Sequence, residues 1–390
     1  MKELEYQERP CDVCGSEKLD EVWKYSTQAR TKSGSYSWKV RNVICPNCGF
    51  TFVSPCPTEE SLVEYYGDSF EYWKGQPLDY SIDSRLELLR KMVPTKPNLS
   101  FVEVGGNASG RFFSAISPLF AKYTNVEVNR SCDAAVSSLG SLPQNFADVL
   151  AAYFVLEHVP HPAEFLESCS NVLHDDGLLI VEVPNLYIYP LNPAGMVWWE
   201  HINHFSPLSL TSLAASKGLF LREFSYRLCS RPFGFVAVFS KKSQKGNTSL
   251  AWESTMGPCE YSLAKACMTD GVKLVEGYQN ELEMVRTKIR KVCEAGEKVI
   301  IWAANKTCVD LLEKFPLPET ALIIDSNPEK KNYLQPIPVF EPTVMKESII
   351  AAKLVVINTT LFADKIKNFV KDAFGRELAP EEVIVIKGIG

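Results

Sequence analysis

Two pairs of cysteines near the start of the chain have the residue type and spacing of a metal site. Each pair is a CxxC turn followed by glycine, in Cys11–Gly15 and Cys45–Gly49. Zinc takes four ligands in a tetrahedron, and a CxxC turn presents two thiolates together. Four cysteines leave no position open for water, so we expect a structural Zn2+ held by Cys11, Cys14, Cys45 and Cys48. Two disulfides, or cysteines that are grouped by coincidence, are the alternatives. The polar N-terminal residues do not resemble a secretory leader, which disfavours disulfides.

A glycine-containing turn follows the apolar run that begins at Ser100. Glycine lets the backbone approach a ligand closely, and Glu103 can attract the cationic end of a cofactor. Glu127, twenty-two residues after Gly105, has the spacing of an acid that binds ribose hydroxyls. The glycines do not have the GxGxxG spacing, which makes NAD a weaker alternative as cofactor. The other alternative is a tight turn that binds no ligand, but such a turn would not require Glu127. The expected cofactor-binding residues are Glu103, Gly105, Gly106, Asn107, Gly110, Glu127 and Phe154.

A second pair of segments narrows the choice of cofactor. The run Ala147–Pro160 contains Leu156-Glu157-His158, and a helix-like stretch separates it from Leu173–Pro184. This pair closely resembles the class I S-adenosylmethionine (SAM) methyltransferases, in which a strand ending in Leu-Glu-His-Val is followed by a second glycine-containing strand. The resemblance implies that the cofactor is SAM.

Nearly the whole chain resembles a narrower family, the sugar C-methyltransferases, which join a zinc-binding domain, a SAM domain and a Rossmann-like domain. The resemblance rests on the cysteine pairs, the glycine turn, Leu156-Glu157-His158, and Glu200-His201 followed by Phe205-Ser206. It implies methylation of a carbon beside the keto group of a nucleotide-activated 4-keto-6-deoxysugar. Methylation of oxygen or nitrogen on another metabolite, and a non-catalytic scaffold, are the alternatives.

Removing a proton from such a carbon gives an enolate, and histidine suits the role of base. By the resemblance, His201 is the predicted base, Glu200 orients it, and His158 lies near the keto oxygen. We expect His161 and His204 to be structural. Trp198 stands where the family commonly has tyrosine, and the glycine turn is one residue longer and lacks the family's aspartate. Tyr72, in the aromatic stretch Tyr65–Trp73, and Trp198 are the predicted substrate-binding residues.

The elements that must position these residues follow an α/β pattern. Apolar strands alternate with helical segments from about residue 78 to 240, which favours a doubly wound parallel sheet. We expect a zinc-binding domain (1–75), a Rossmann-like SAM methyltransferase domain (76–245) and a smaller Rossmann-like α/β domain (246–390). Predicted strands are Trp38–Ile44, Ser100–Val104, Tyr123–Val128, Ala147–Ala152, Gly177–Val183, Phe233–Ser240, Lys298–Trp302, Ala321–Asp325, Lys353–Asn358 and Glu382–Lys387. Predicted helices are Arg111–Lys122, Pro162–Leu173, Pro207–Lys217 and Tyr261–Arg290, and Gln28–Ser37 is predicted to be a hairpin loop.

The last predicted domain has its own turn after a strand, within Val299–Thr307. Both small residues there are alanines, and Lys306 enters the turn. Because alanine hinders close approach of the backbone to a pyrophosphate, we predict no dinucleotide in this domain.

The composition of this 390-residue chain limits the kinds of partner that it can bind. Its net charge of −6 is spread along the sequence, and 23% of the residues are charged. Nothing therefore indicates a surface for nucleic acid or an anionic membrane, and no run reaches the roughly 18 apolar residues of a membrane helix. We expect a cytoplasmic protein whose partner is a small molecule, the nucleotide-linked sugar that the resemblance implies.

Overall fold

The computed structural model describes residues 1–31, 33–73, 82–106, 110–127, 135–242, 256–313, 315–334 and 336–388. Residue contacts divide the chain into two compact units, Met1–Val272 and Lys273–Gly390. The finer division of the first unit near residue 75, and a boundary near 245, stay predictions. Among the described helices, none has both the length and the apolar character needed to cross a membrane.

The first unit begins with a small sheet and a separate pair of strands. In chain order these strands are β1 (Lys2–Glu3), β2 (Tyr6–Gln7), β3 (Asp20–Thr31), β4 (Gly34–Ile44), β5 (Thr51–Val53) and β6 (Cys56–Pro57). Strands β2 and β6 pair with each other, and the other four belong to the small sheet. Strands β3 and β4 pair antiparallel from Asp20 with Ile44 to Thr31 with Gly34. The hairpin predicted over Gln28–Ser37 is confirmed, but its strands reach to Thr31 and from Gly34, so the predicted loop was too long. Ala29 and Tyr36 are buried within this polar stretch, so alternation with a period of two carries both strands nearly to the turn.

The central sheet of the first unit has seven strands. After helices α1 (Glu59–Trp73) and α2 (Ile82–Met92) come β7 (Ser100–Val104), α3 (Arg111–Ile116), β8 (Lys122–Val126), β9 (Ala135–Val136), β10 (Ala147–Tyr153), α4 (Pro162–Val172), β11 (Leu173–Pro184), α5 (Ala194–Val197), β12 (Asn203–His204), α6 (Pro207–Ser216), β13 (Phe220–Ser225) and β14 (Gly234–Ser240). The strand order is β13-β14-β11-β10-β7-β8-β9, and β14 runs antiparallel to both of its neighbours. Strand β12 instead pairs with β5 in the small sheet.

The predicted strands of this sheet are confirmed to within a few residues. The helix predicted over Arg111–Lys122 ends at Ile116, because a 3-10 turn containing Pro118 follows and β8 begins at Lys122. Strands β9 and β13 of the sheet were not predicted from the sequence. Apolar clusters cover both faces of the sheet, as a doubly wound fold requires.

The second unit contains a smaller parallel sheet. Helix α7 (Met256–Glu294) is followed by β15 (Val299–Trp302), α8 (Lys306–Leu312), β16 (Ala321–Ile324), β17 (Val339–Phe340), α9 (Lys346–Ala351), β18 (Leu354–Ile357), α10 (Ala363–Phe374) and β19 (Val383–Val385). The strand order β17-β16-β15-β18-β19 is parallel throughout. Here too the predicted strands are confirmed, and apolar clusters cover both faces.

Candidate functional site

The four predicted metal-binding cysteines come together. Their sulfur atoms all lie within 4.8 Å of one another, and the closest pairs, Cys11 with Cys48 and Cys14 with Cys45, are 3.5 Å apart. The thiols are free. In each turn the glycine adopts a left-handed conformation (φ 73° at Gly15, 76° at Gly49) and donates its amide to the carbonyl of the first cysteine. Four sulfurs at these separations fit the tetrahedron that zinc prefers.

The small sheet that carries the cysteines also holds two loops of the central sheet. The buried Arg9 guanidinium donates to the carbonyl of Pro160, to that of Ile202 at 3.0 Å and to Asn203 Oδ1 at 2.6 Å. Strand β12 continues this attachment by pairing Asn203 with Phe52. The loops that bear His158 and His201 are therefore fixed from both sides. Sequence reasoning missed Arg9, which no motif marks.

The glycine turn follows β7 at the carboxyl edge of the central sheet. Gly105 is left-handed (φ 70°) and donates its amide to Val126 at 2.9 Å. A Cβ at Gly105 would lie 2.8 Å from Val155 Cγ2, and one at Gly106 would lie 2.5 Å from the Glu103 carboxyl group. Both positions therefore require glycine. Gly110 immediately precedes α3, and Asn107 lies outside the described residues.

Two acidic residues flank this turn. Glu103 is almost fully buried and accepts a hydrogen bond from Tyr123 at 2.5 Å. Burial raises the pKa of Glu103, against the opposing effect of the Tyr123 hydrogen bond. Glu127 is half-buried at the end of β8, and its amide donates to Val136 at 2.9 Å. The fold thus brings both predicted acids to the edge where the turn lies.

The loop after β10 connects the turn to the predicted catalytic residues. Phe154 is left-handed (φ 56°), an uncommon conformation for a bulky residue, and its amide donates to Glu182 at 2.8 Å. Its ring lies 5.2 Å from the guanidinium carbon of Arg231. The next residue, Val155, contacts the turn as described, and a 3-10 turn then spans Leu156–His158.

Glu157, His158 and His201 form a compact cluster beyond this loop. The Nε2 atom of each histidine lies 3.9 Å from Glu157 Oε1, although His201 comes from a different loop. His158 Nδ1 lies 3.0 Å from the Glu200 carbonyl, and His201 Nδ1 lies 2.7 Å from the Gly195 carbonyl. Because a carbonyl only accepts, each Nδ1 carries the proton and each Nε2 has a lone pair.

Burial sets the electrostatics of this cluster. It lowers the pKa of His158, lowers that of His201 well below its ordinary value, and raises that of Glu157 to about 8. Sequence reasoning did not predict Glu157 as a functional residue, although it belongs to the Leu-Glu-His motif. Its signal was a charged residue in the apolar stretch that follows β10.

The predicted contact between Glu200 and His201 is not made. The Glu200 carboxylate instead accepts hydrogen bonds from Tyr65 Oη and Trp198 Nε1, both at 2.6 Å. The ring of Trp198 also stacks on that of Trp199, with centroids 5.4 Å apart. Tyr65 was missed, because the aromatic stretch that contains it offers several tyrosines. Tyr72 lies in the last turn of α1, and its side chain is outside the described part of the structure.

The two histidines expected to be structural have partners elsewhere. His204 is buried between Tyr189 Oη at 2.9 Å and Asn42 Oδ1 at 2.7 Å, and burial lowers its pKa to about 3. His161 Nε2 lies 3.1 Å from the Gln7 side-chain amide.

The chain is similar to known methyltransferases over part of its length. Residues 72–223 match the family model of a methyltransferase domain. A probable SAM-dependent methyltransferase of Mycobacterium tuberculosis is 30% identical over 111 residues, which are 27% of this chain and 37% of that protein. A ubiquinone biosynthesis O-methyltransferase of Glaesserella parasuis is 45% identical over 38 residues, 10% of this chain and 16% of that protein. The chain thus spans well under half the length of these curated relatives.

Among solved structures, the 1,6-didemethyltoxoflavin N1-methyltransferase of Burkholderia thailandensis gives a TM-score of 0.36 at 12% identity, covering 50% of this chain and 96% of that one. A SAM-dependent methyltransferase of Archaeoglobus fulgidus gives 0.33 at 16% identity, covering 44% and 96%. The family match covers the glycine turn and both loops that carry the histidine cluster. The chain therefore contains a class I, SAM-dependent methyltransferase domain.

Proposed function

We propose that the protein transfers the methyl group of SAM to a carbon beside the keto group of a nucleotide-activated deoxysugar. The observation that carries this proposal is the convergence of His158 Nε2 and His201 Nε2 on one point at the edge of the sheet that bears the glycine turn. Because SAM already carries an activated methyl group, the protein must chiefly generate and hold the carbon nucleophile. Forming an enolate requires groups that act on the carbon-bound proton and on the keto oxygen.

The proposed cofactor site supports this assignment. SAM would lie over Gly105 and Gly106, where added Cβ atoms would meet neighbouring side chains. Glu103 would face its amino group, Glu127 its ribose hydroxyls, and Phe154 its flat adenine ring. Val155 contacts Gly105 and is two residues from Glu157, so cofactor and acceptor would bind on adjoining sides of one loop.

The proposed acceptor site adjoins the aromatic residues beside Glu200. Tyr65 and Trp198 hold the Glu200 carboxylate through its side-chain oxygens, and the Glu200 carbonyl holds His158. Glu200 would therefore position His158 rather than His201. Trp198 and Tyr72 would contact the sugar or its nucleotide, a role taken over from the family resemblance.

We also propose that the four cysteines bind one structural Zn2+. Thiolates at these separations fit zinc, and the ion would stiffen the sheet from which Arg9 holds the two catalytic loops. The metal would act on catalysis only through this support.

The direct test of the function is hydrogen exchange in D2O, followed by NMR, with a nucleotide-linked 4-keto-6-deoxyhexose. We expect the chain to exchange the proton on the carbon beside the ketone and, with SAM, to methylate that carbon. His201→Gln should abolish both, whereas His161→Gln, which alters a histidine outside the cluster, should abolish neither. Methyl transfer to oxygen or nitrogen, or exchange that survives His201→Gln, would overturn the proposal.

A further inference from the structure

Three atoms that can bind a cation converge in the histidine cluster. Glu157 Oε1 and the Nε2 atoms of His158 and His201 all lie within 4.8 Å of one another. Two imidazoles and one carboxylate are a recurrent ligand set for divalent transition metals, and they leave further coordination positions open. The cluster is separate from the four cysteines, whose ligands are all sulfur.

Hydrogen bonds fix both imidazoles with their lone pairs toward Glu157. Each Nδ1–H donates to a backbone carbonyl, that of Glu200 for His158 and that of Gly195 for His201. Metal-binding histidines are commonly held in this way, because the outer hydrogen bond fixes the tautomer and the direction of the ring. The pattern is present in both histidines, although they belong to different loops.

The Glu157 carboxyl group supplies an independent observation. It is fully buried, and within the described part of the chain neither of its oxygens has a hydrogen-bond partner on another residue, although its own amide and the charge of Arg231 act on it. A buried carboxyl group with so little compensation is costly, so the site favours a cation that both oxygens can approach.

The distances favour a metal ion over a direct hydrogen bond. Each Nε2 lies 3.9 Å from Glu157 Oε1, whereas a hydrogen bond needs about 2.7–3.2 Å. An ion about 2.1–2.4 Å from each atom would place neighbouring ligand atoms about 3–4 Å apart. The side chains of His158 and His201 are 22% and 12% exposed and Glu157 is not exposed, so the open positions lie on the histidine side.

We propose that Glu157, His158 and His201 bind one divalent transition-metal ion with a coordination position open to solvent. The bound ion would occupy the Nε2 lone pairs of both histidines, so it would compete with the part that these histidines play in the proposed function. Binding of the ion itself does not depend on that function.

Manganese binding to the full chain tests this site without SAM or acceptor. Mn2+ prefers oxygen and nitrogen ligands, so in protein that contains one zinc per chain and no free zinc it reports on this cluster rather than on the cysteines. By electron paramagnetic resonance we expect one bound Mn2+ per chain, with affinity lowered at least about 100-fold by Glu157→Gln and by His158→Asn. His161→Gln should bind Mn2+ like the unaltered chain, and all four proteins should contain the same amount of zinc.

Unchanged zinc content and circular dichroism establish that a variant is folded. Failure of the unaltered chain to bind Mn2+, or binding that survives both substitutions in folded variants, would overturn the metal site. Because this readout involves no methyl transfer, its failure is distinguishable from failure of the proposed function. If Glu157→Gln does not fold, His158→Asn alone decides the outcome.

Discussion

In each of the two Rossmann-like sheets of the molecule, an interior strand is followed by the same kind of turn. Gly105 follows β7 and Ala303 follows β15, and both are left-handed, with φ of 70° and 80°. Gly105 donates its amide to Val126 at 2.9 Å, and Ala303 donates to Ile324 at 3.0 Å, in each case to the next strand of the sheet. The backbone of the two turns is therefore alike at this position, with glycine in one and alanine in the other.

The side chains around the two turns differ. Asp325 occupies the place in the second sheet that Glu127 occupies in the first, since each directly follows the neighbouring strand. The Asp325 carboxylate accepts from the amides of Ala304 and Asn327, both at 2.8 Å. In the second turn, the Asp325 carboxylate thus occupies backbone amides that a nucleotide would need. The topology therefore supplies the turn in both sheets, and the side chains around the turn determine whether it can bind a ligand.

Among the substitutions that test this comparison, a methyl group added at Gly105 should have the largest effect, a loss of SAM affinity. Gly105→Ala puts a Cβ 2.8 Å from Val155 where the cofactor backbone contact is proposed, so we expect SAM affinity to fall about 100-fold, or about 2.7 kcal/mol. Gly218 has the same conformation (φ 71°), but a Cβ there meets no atom within 4 Å. Gly218→Ala should share the backbone strain and retain the affinity. Calorimetry with S-adenosylhomocysteine measures both, and equal losses would contradict a contact specific to Gly105.

Removing Glu127 and removing Asp325 should affect different properties of the protein. Glu127→Ala should lower SAM affinity about 10- to 30-fold, because contacts to the ribose hydroxyls are lost. Asp325→Ala should leave SAM affinity unchanged and destabilise the second unit by about 2 kcal/mol, because two amides lose a charged acceptor. Calorimetry and hydrogen exchange of the β15 amides give the two readouts. An effect of Asp325→Ala on SAM binding would end the distinction between the turns.

The smallest effect is expected from glycine at Ala303. Left-handed backbone costs an alanine about 1–2 kcal/mol, so Ala303→Gly should stabilise the second unit by about 0.5–1 kcal/mol after the entropy cost of glycine. Ala304→Gly is the matched control, because Ala304 is buried and not left-handed, and it should destabilise the unit. Chemical denaturation, monitored by hydrogen exchange of the β15 amides, measures the change in unfolding free energy of the second unit in both variants. A change of the same sign in both would refute the strain at Ala303.

Local pattern was enough to predict most of the strands and the cysteine cluster. Continuous apolar runs mark the buried strands, and CxxC turns bring their sulfurs together within a few residues. The loop predicted over Gln28–Ser37 was too long because the polar residues of this stretch hid the alternation that buries Ala29 and Tyr36. Strand β13 was missed because its side chains are mostly half-buried and follow no clear period.

The candidate site was harder to predict because the fold assembles it from distant parts of the sequence. Glu157 and His201 meet only when two loops reach the same edge of the sheet. The contacts of Glu200 depend on Tyr65 from α1, a partner that the spacing of Glu200 and His201 cannot reveal. The absence of a dinucleotide from the second unit stays a prediction, although the hydrogen bonds of Asp325 support it.

The most direct test of the central claim is photolabelling of the full chain with SAM tritiated in its methyl group, followed by peptide mapping. We expect label in peptides from residues 100–160, which contain the glycine turn and the loop after β10. Excess S-adenosylhomocysteine should prevent that labelling, and Gly105→Ala should remove it. Label in a peptide from residues 299–330, or no label that S-adenosylhomocysteine displaces, would contradict the account.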